Sequence, residues 1–250
     1  MPDAPRFPDR GFGRLTLRFA RNATDMAQVA QLRRVRFRDN HGADMDRFDP
    51  LCHHMLVVEG DTPAALACAR VRLLDGPELD AGYSAQFYDL SPLASAGLRG
   101  LELGRVCIAS DRRQDPDILR ALLAGIALHA EAEKADLLLG CASFKGDDPA
   151  RHAAALGWLK MRHIGPSALC PKKRDALAFD LPEAGSPADQ KMAMQSIPAL
   201  LRLYLGLGGW VSDHAVRDPN LNTLHVFTAV EIARIPPARK RLLMGMTQPR

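Results

Sequence analysis

Apolar residues alternate with polar ones at Leu15, Leu17 and Phe19, so the first regular element the chain predicts is a strand with one buried face. Ahead of it, residues 1–13 hold Pro2, Pro5, Pro8, Gly11 and Gly13 and read as an irregular arm. Thr24 and Asp25 open a helix to about residue 39, on which Met26, Ala30, Arg33 and Phe37 share a stripe. A guanidinium among core-facing residues either snorkels to solvent or points into a cleft. The loop that follows carries Asp44, Asp46 and Asp49 and reads as solvated. Two apolar runs, residues 55–59 and 64–74, flank the turn Gly60-Asp61-Thr62-Pro63 and predict a hairpin. Arg70 and Arg72 alternate with apolar neighbours there, Arg70 reading as the more superficial of the two.

Residues 75–100, rich in Gly, Pro and Ser, form an excursion between elements rather than a second domain. An interior strand follows, Leu101-Glu102-Leu103-Gly104-Arg105-Val106-Cys107-Ile108, whose Glu102 and Arg105 point to opposite faces of the pleat. A carboxylate inside a sheet is costly unless paired or used, so this is a Glu–Arg bridge between strands or an active-site strand. Apolar residues at 118, 122, 126 and 130 predict a helix over 118–134, and residues 135–144 a buried parallel strand. Strand, helix and strand make a βαβ unit with a right-handed crossover. A helix over 149–156 and strands at 177–181 and 223–230 come later. Residues 197–211 are apolar almost all round, Arg202 being the one charge. They are a buried helix ending at Gly206, Gly208 and Gly209, or a helix with Tyr204 and Trp210 at a lipid interface near Arg234, Arg239, Lys240 and Arg241.

A chain of 250 residues, 47% apolar, can bury one large core, and residues 1–250 are read as one domain with residues from about 190 as a C-terminal extension. The formal charge of +4 is too mild to indicate nucleic acid, but suits an acidic protein partner or an anionic membrane surface. Five scattered cysteines fit buried thiols of a reducing compartment. No signal peptide or membrane span is evident, so a cytoplasmic protein is expected, peripheral on the inner membrane at most. Cys52-His53-His54 lacks the ligand spacing of a zinc site, and no metal is expected.

Taken together, Asp46-Arg47-Phe48-Asp49, Val71-Arg72-Leu73-Leu74, Phe87-Tyr88-Asp89-Leu90-Ser91-Pro92-Leu93, Leu101-Glu102-Leu103-Gly104-Arg105 and Gly140-Cys141-Ala142-Ser143-Phe144 resemble the ornithine lipid N-acyltransferases. These belong to the GNAT superfamily and are often labelled hemolysins. The resemblance runs on through residues 200–216 and 222–227, nearly the whole chain. It implies an α/β GNAT-like fold, a mixed central sheet flanked by helices. It also implies transfer of a 3-hydroxyacyl chain from acyl carrier protein to the α-amine of ornithine, giving lyso-ornithine lipid without a bound cofactor. A more distant similarity is to acyl-homoserine lactone synthases, through Arg33 and Phe37, Asp46 and Asp49, Arg72, and Glu102 and Arg105. The tryptophan usual after that Phe is absent, which disfavours the lactone-forming alternative. A glutamine-directed acyltransferase and a non-catalytic membrane-active protein remain as further alternatives.

On this reading Glu102 is the general base for an amine that is largely protonated at neutral pH. Burial on an interior strand would raise its pKa toward that task. Backbone N–H groups at Val106 or Cys107 are the expected oxyanion donors. Asp46 and Asp49 would meet the ammonium groups of ornithine, Arg72 or Arg105 its carboxylate, and Arg33 and Ser143 complete the substrate-binding set. The turn Arg112-Arg113-Gln114-Asp115-Pro116-Asp117 has no glycine and loses an N–H at Pro116, so it suits a pyrophosphate poorly. Arg112, Arg113 and Arg120 could instead meet an acidic carrier protein, or they are ordinary surface arginines.

Overall fold

The computed structural model describes residues 7–38, 41–60, 64–185 and 193–245. In chain order its elements begin with strands β1 (Arg10–Phe12) and β2 (Leu15–Phe19), helix α1 (Ala23–Phe37), and strands β3 (His53–Glu59) and β4 (Ala67–Asp75). Next are β5 (Tyr88–Asp89), α2 (Ser91–Ser95), β6 (Arg99–Ile108), α3 (Pro116–Ala132) and β7 (Leu137–Lys145). Then come α4 (Ala153–His163), β8 (Lys172–Lys173), β9 (Ala178–Asp180), α5 (Ala199–Gly206), β10 (Trp210–Asp218), β11 (Thr223–Glu231) and α6 (Pro237–Gly245). The chain divides into two compact units, one of residues 1–73, 103–135 and 237–250, the other of residues 74–102 and 136–236. Strand β6 contributes to both.

In the first unit β1 to β4 are antiparallel neighbours, with the end of β6 beside β4. The arm thus holds a strand, β1, that turns into β2 at Gly13 with a φ of 62°; residues 1–6 of the arm lie outside the described residues, as do residues 61–63 of the β3–β4 turn. Helix α1 is capped by Asn22, whose side chain accepts from the Asp25 N–H at 2.9 Å, two residues earlier than Thr24 suggested. Its Val29 and Leu32 pack on Leu56, Val58, Cys68 and Cys107. The opposite face carries α3, where a Cβ on Gly125 would come within 2.3 Å of Leu17. Only glycine lets that helix approach so closely. The face under α1 therefore runs from Cys68 to Arg70 along β4, ending in polar residues.

In the second unit the start of β6 runs parallel to β7, Gly100 opposite Leu137 and Glu102 opposite Leu139, as the βαβ reading requires. Beyond β7 lie β11, β10 and β9, all antiparallel. The 75–100 excursion covers one face, burying Leu79, Tyr88, Leu90 and Leu93 against Leu137, Leu139 and Phe227. Helices α4 and α5 cover the other, with Leu156, Leu159 and Leu201 against Phe144 and Val226. Strand β10 is absent from the sequence reading. Trp210 opens it, 5% exposed, and Tyr204 is 7% exposed on α5, so neither ring is a lipid-facing anchor. Among the described residues no helix is long and apolar enough to cross a membrane.

Candidate active site

Three arginines and three aspartates interlock in one cluster of the first unit, with a fourth arginine, Arg38, at its edge beside Asp44. Arg33 from α1 is fully buried; its Nε donates to Asp44 Oδ2 at 2.9 Å, and its Nη1 and Nη2 donate to Asp49 Oδ1 and Oδ2 at 2.6 and 3.2 Å. It neither snorkels nor opens onto a cleft, and its burial is sustained by two carboxylates. Arg70 Nη1 donates to Asp46 Oδ1 at 2.6 Å and to Asp49 Oδ1 at 3.1 Å. Arg105 Nε donates to Asp44 Oδ2 at 2.8 Å, with its Nη2 3.3 Å from Asp46 Oδ2. The guanidiniums also lie over rings, Arg105 on Phe37 and Arg70 on Phe48.

The acidic loop is exposed at residues 41–43, 45, 47 and 50, but two of its three aspartates turn inward. Asp44 and Asp49 are 2% and 3% exposed, and the aspartates fold their own loop. The Asp46 N–H donates to Asp49 Oδ2 at 2.6 Å, and the Phe48 N–H to Asp46 Oδ1 at 2.9 Å. His54 Nε2 lies 3.1 Å from the Asp49 carbonyl oxygen, and burial holds its pKa below the ordinary value. Burial would by itself push the Asp49 carboxyl up, but the bonds from Arg33 and the Asp46 N–H, with the charges of Arg33 and Arg70, outweigh it and hold it low. Asp49 is consequently committed to the fold. Asp46, its side chain 26% exposed, is the carboxylate of the three that reaches solvent.

Arg105 has a φ of 52°, a left-handed backbone in the middle of β6. A non-glycine residue there is strained, and such strain gathers at functional sites. It directly precedes the half-buried Val106 and the buried Cys107, whose Sγ lies 3.5 Å from Cys68 Sγ.

Glu102, 6% exposed, sits in the second unit, and Arg105 makes its ion pairs with aspartates of the first. The Glu102 carboxylate accepts from the Tyr83 N–H at 2.8 Å and the Ser84 N–H at 2.7 Å. A Cβ on Gly82 would lie 3.0 Å from Glu102 Oε2 and 2.9 Å from Leu74 Cδ1, so glycine lets this backbone wrap the carboxylate. Each oxygen keeps a second lone pair to accept a proton.

The structure brings together Arg33, Asp46, Asp49 and Arg105. The β4 arginine bound into their cluster is Arg70, 3% exposed, whereas Arg72 is half-buried two residues on. Ser143 is exposed on β7 in register with His225. Arg112, Arg113 and Arg120 are exposed, Arg112 beside Glu59 and Asp111 and Arg120 bonded to Asp117. Asp115 caps α3 by accepting from the Asp117 N–H at 3.1 Å, and Arg14 joins Asp115 to Glu59. That helix start is already supplied with carboxylates. Sequence reasoning missed Asp44, Arg70 and Gly82. Asp44 stands in the sequence as the third carboxylate of the loop, but nothing there marks the convergence of Arg33 and Arg105 on it.

Residues 29–122 match the acetyltransferase (GNAT) domain family. Curated relatives include an L-ornithine N(alpha)-acyltransferase of Rhodobacter capsulatus, 32% identical over 86% of this chain and 89% of the relative. Another of the same name from Brucella abortus is 30% identical over 89% of this chain and 86% of its own. Among solved structures, the loading GNATL domain of CurA from Lyngbya majuscula shares the fold, with a TM-score of 0.50 at 13% identity, covering 88% of this chain and 99% of that one.

Proposed function

We propose, from the premise that this chain belongs to the L-ornithine N(alpha)-acyltransferases, that it joins an acyl chain to the α-amine of ornithine. The donor is a 3-hydroxyacyl thioester on acyl carrier protein and the product is lyso-ornithine lipid, made without a bound cofactor. The observation that carries the chemical reading is Glu102, a buried carboxylate fixed by two backbone amides with lone pairs remaining. Glu102 takes a proton from the α-ammonium, and the freed nitrogen attacks the thioester carbonyl. The negative oxygen of the tetrahedral intermediate is met by N–H groups at Val106 and Cys107, following the distortion at Arg105. The C–S bond then breaks, the thiol leaves with a proton, and the amide remains.

Acceptor binding falls to the solvent-reaching edge of the ion cluster. Asp46 meets an ammonium group, while Arg105 and Arg72 are the candidates for the carboxylate. Asp49 and Arg33 act one step back, by holding Asp46 and Arg70 in place. The exposed Arg112, Arg113 and Arg120 receive the acidic carrier, and the exposed Arg239, Lys240 and Arg241 of α6 meet anionic headgroups where the product is released.

The test is mass spectrometry of products from the purified chain supplied with 3-hydroxyacyl carrier protein and an equimolar mixture of ornithine and glutamine. N-acyl-ornithine as the main product supports the reading. Acyl-glutamine, a lactone, or no acyl transfer overturns it.

A further inference from the structure

We propose that Asp44 is a positioning residue, which clamps Arg105 in its left-handed conformation and so sets the backbone from which Val106 and Cys107 present their N–H groups. The role rests on the reading of those two groups as oxyanion donors. The argument starts from an energetic oddity. A side chain at φ 52° in a strand crowds its own backbone, and only glycine, or less readily asparagine, takes that conformation without penalty. Arg105 is neither, so its surroundings must hold it there.

Asp44 supplies that hold. One oxygen, Oδ2, accepts from Arg105 Nε at 2.8 Å and from Arg33 Nε at 2.9 Å, while Oδ1 lies 3.3 Å from Arg38 Nε. With 2% exposure the carboxylate has no water to compete for these donors. Arg33 is itself fully buried and bonded to both oxygens of Asp49. The guanidinium of Arg105 is therefore tied through a single oxygen to the most deeply fixed side chain of the cluster. Phe37, on the same helix as Arg33, backs it from 5.7 Å. Asp46, a second carboxylate beside it, is more distant at 3.3 Å and partly solvated. Release of Asp44 would let residue 105 relax toward an ordinary strand conformation and turn the following peptide groups.

Three variants separate backbone positioning from substrate contact. Arg105→Ala and Arg105→Gly both lose the guanidinium and differ in backbone freedom alone. Arg105→Gly should retain a kcat about 10-fold or more above that of Arg105→Ala, with similarly raised KM for ornithine in both. Asp44→Asn should lower kcat about 10- to 100-fold in the wild-type background, with KM for the acyl donor within about threefold, and by less than about threefold in the Arg105→Gly background. Equal kcat for the Ala and Gly variants, or an equal loss from Asp44→Asn in both backgrounds, overturns the proposal. Amide hydrogen exchange gives a readout independent of activity: Asp44→Asn should accelerate exchange at Val106 and Cys107, and unchanged exchange there overturns the clamp even if the wild-type chain acylates nothing. Where Asp44→Asn does not fold, Asp44→Glu, which keeps the charge but misplaces it, carries the same tests.

Discussion

Replacing Glu102 by Gln is the obvious probe of a general base, and the structure says that this probe is not innocent. The carboxylate accepts two backbone N–H groups, at 2.8 and 2.7 Å, in a site 6% exposed. An amide offers one acceptor oxygen, so its NH₂ must face either the Tyr83 or the Ser84 N–H. That leaves a buried donor without its partner, at about 1–3 kcal/mol, and converts the surviving bond from charged to neutral, at about 1 kcal/mol. A total of about 3 kcal/mol, at roughly 2–4 °C per kcal/mol for a chain of this length, lowers Tm by about 6–12 °C. Calorimetric unfolding of Glu102→Gln beside wild type measures this. Acyl transfer should then be assayed well below the lowered midpoint, where loss of the base still costs about 10²–10⁴-fold in kcat. A Tm within about 1 °C of wild type would refute the two-amide grip, and full kcat in the folded variant would refute the base.

Asp49→Asn should be among the most damaging single changes, about 3–5 kcal/mol by denaturant titration, because it removes the carboxylate that Arg33 and Arg70 share and leaves the buried cluster one negative charge short. Mild acid should weaken the fold through buried histidines: burial lowers His129 and His225 to about 4, so the unfolded chain binds protons first. Stability present at pH 7 is then lost as pH falls from about 6.5 toward 4, at up to about 1.4 kcal/mol per pH unit for each histidine, and His129→Leu should flatten that slope in unfolding measured against pH. Carrier-bound acyl donors should outperform acyl-coenzyme A in kcat/KM, with Arg112→Glu and Arg113→Glu raising KM for the carrier in a salt-sensitive way; equal kcat/KM for both donors would count against the docking role.

The sequence carries the βαβ unit and the strand with Glu102 and Arg105 plainly, because apolar periodicity records which faces are covered. It fails where both faces are covered. Residues 67–71 of β4 are all buried, so alternation could not say which arginine went inward, and Arg70 rather than Arg72 enters the cluster. The acidic loop misleads for a related reason: local charge density signals solvent unless the arginines that neutralise it, at 33, 70 and 105, are known to converge from distant positions. The left-handed backbone at Arg105 leaves no compositional trace, since a glycine there would have flagged it and an arginine held by Asp44 does not. Strand β10 was hidden behind the apolar run of α5, whose helical stripe drew Trp210 into the wrong element.

The cluster of three arginines and three aspartates has a consequence for how the family drifts. Away from the solvent-reaching Asp46, a substitution that removes one charge strands its opposite in a place with almost no solvent, so each residue is locked by the others more tightly than its own contacts suggest. Change there can be fixed in pairs, an arginine vanishing together with an aspartate, and almost never singly. Positions 33, 44, 46, 49, 70 and 105 should therefore covary as one block among divergent relatives, and a chain that has exchanged one pair for apolar residues will have crossed a valley that single steps do not bridge.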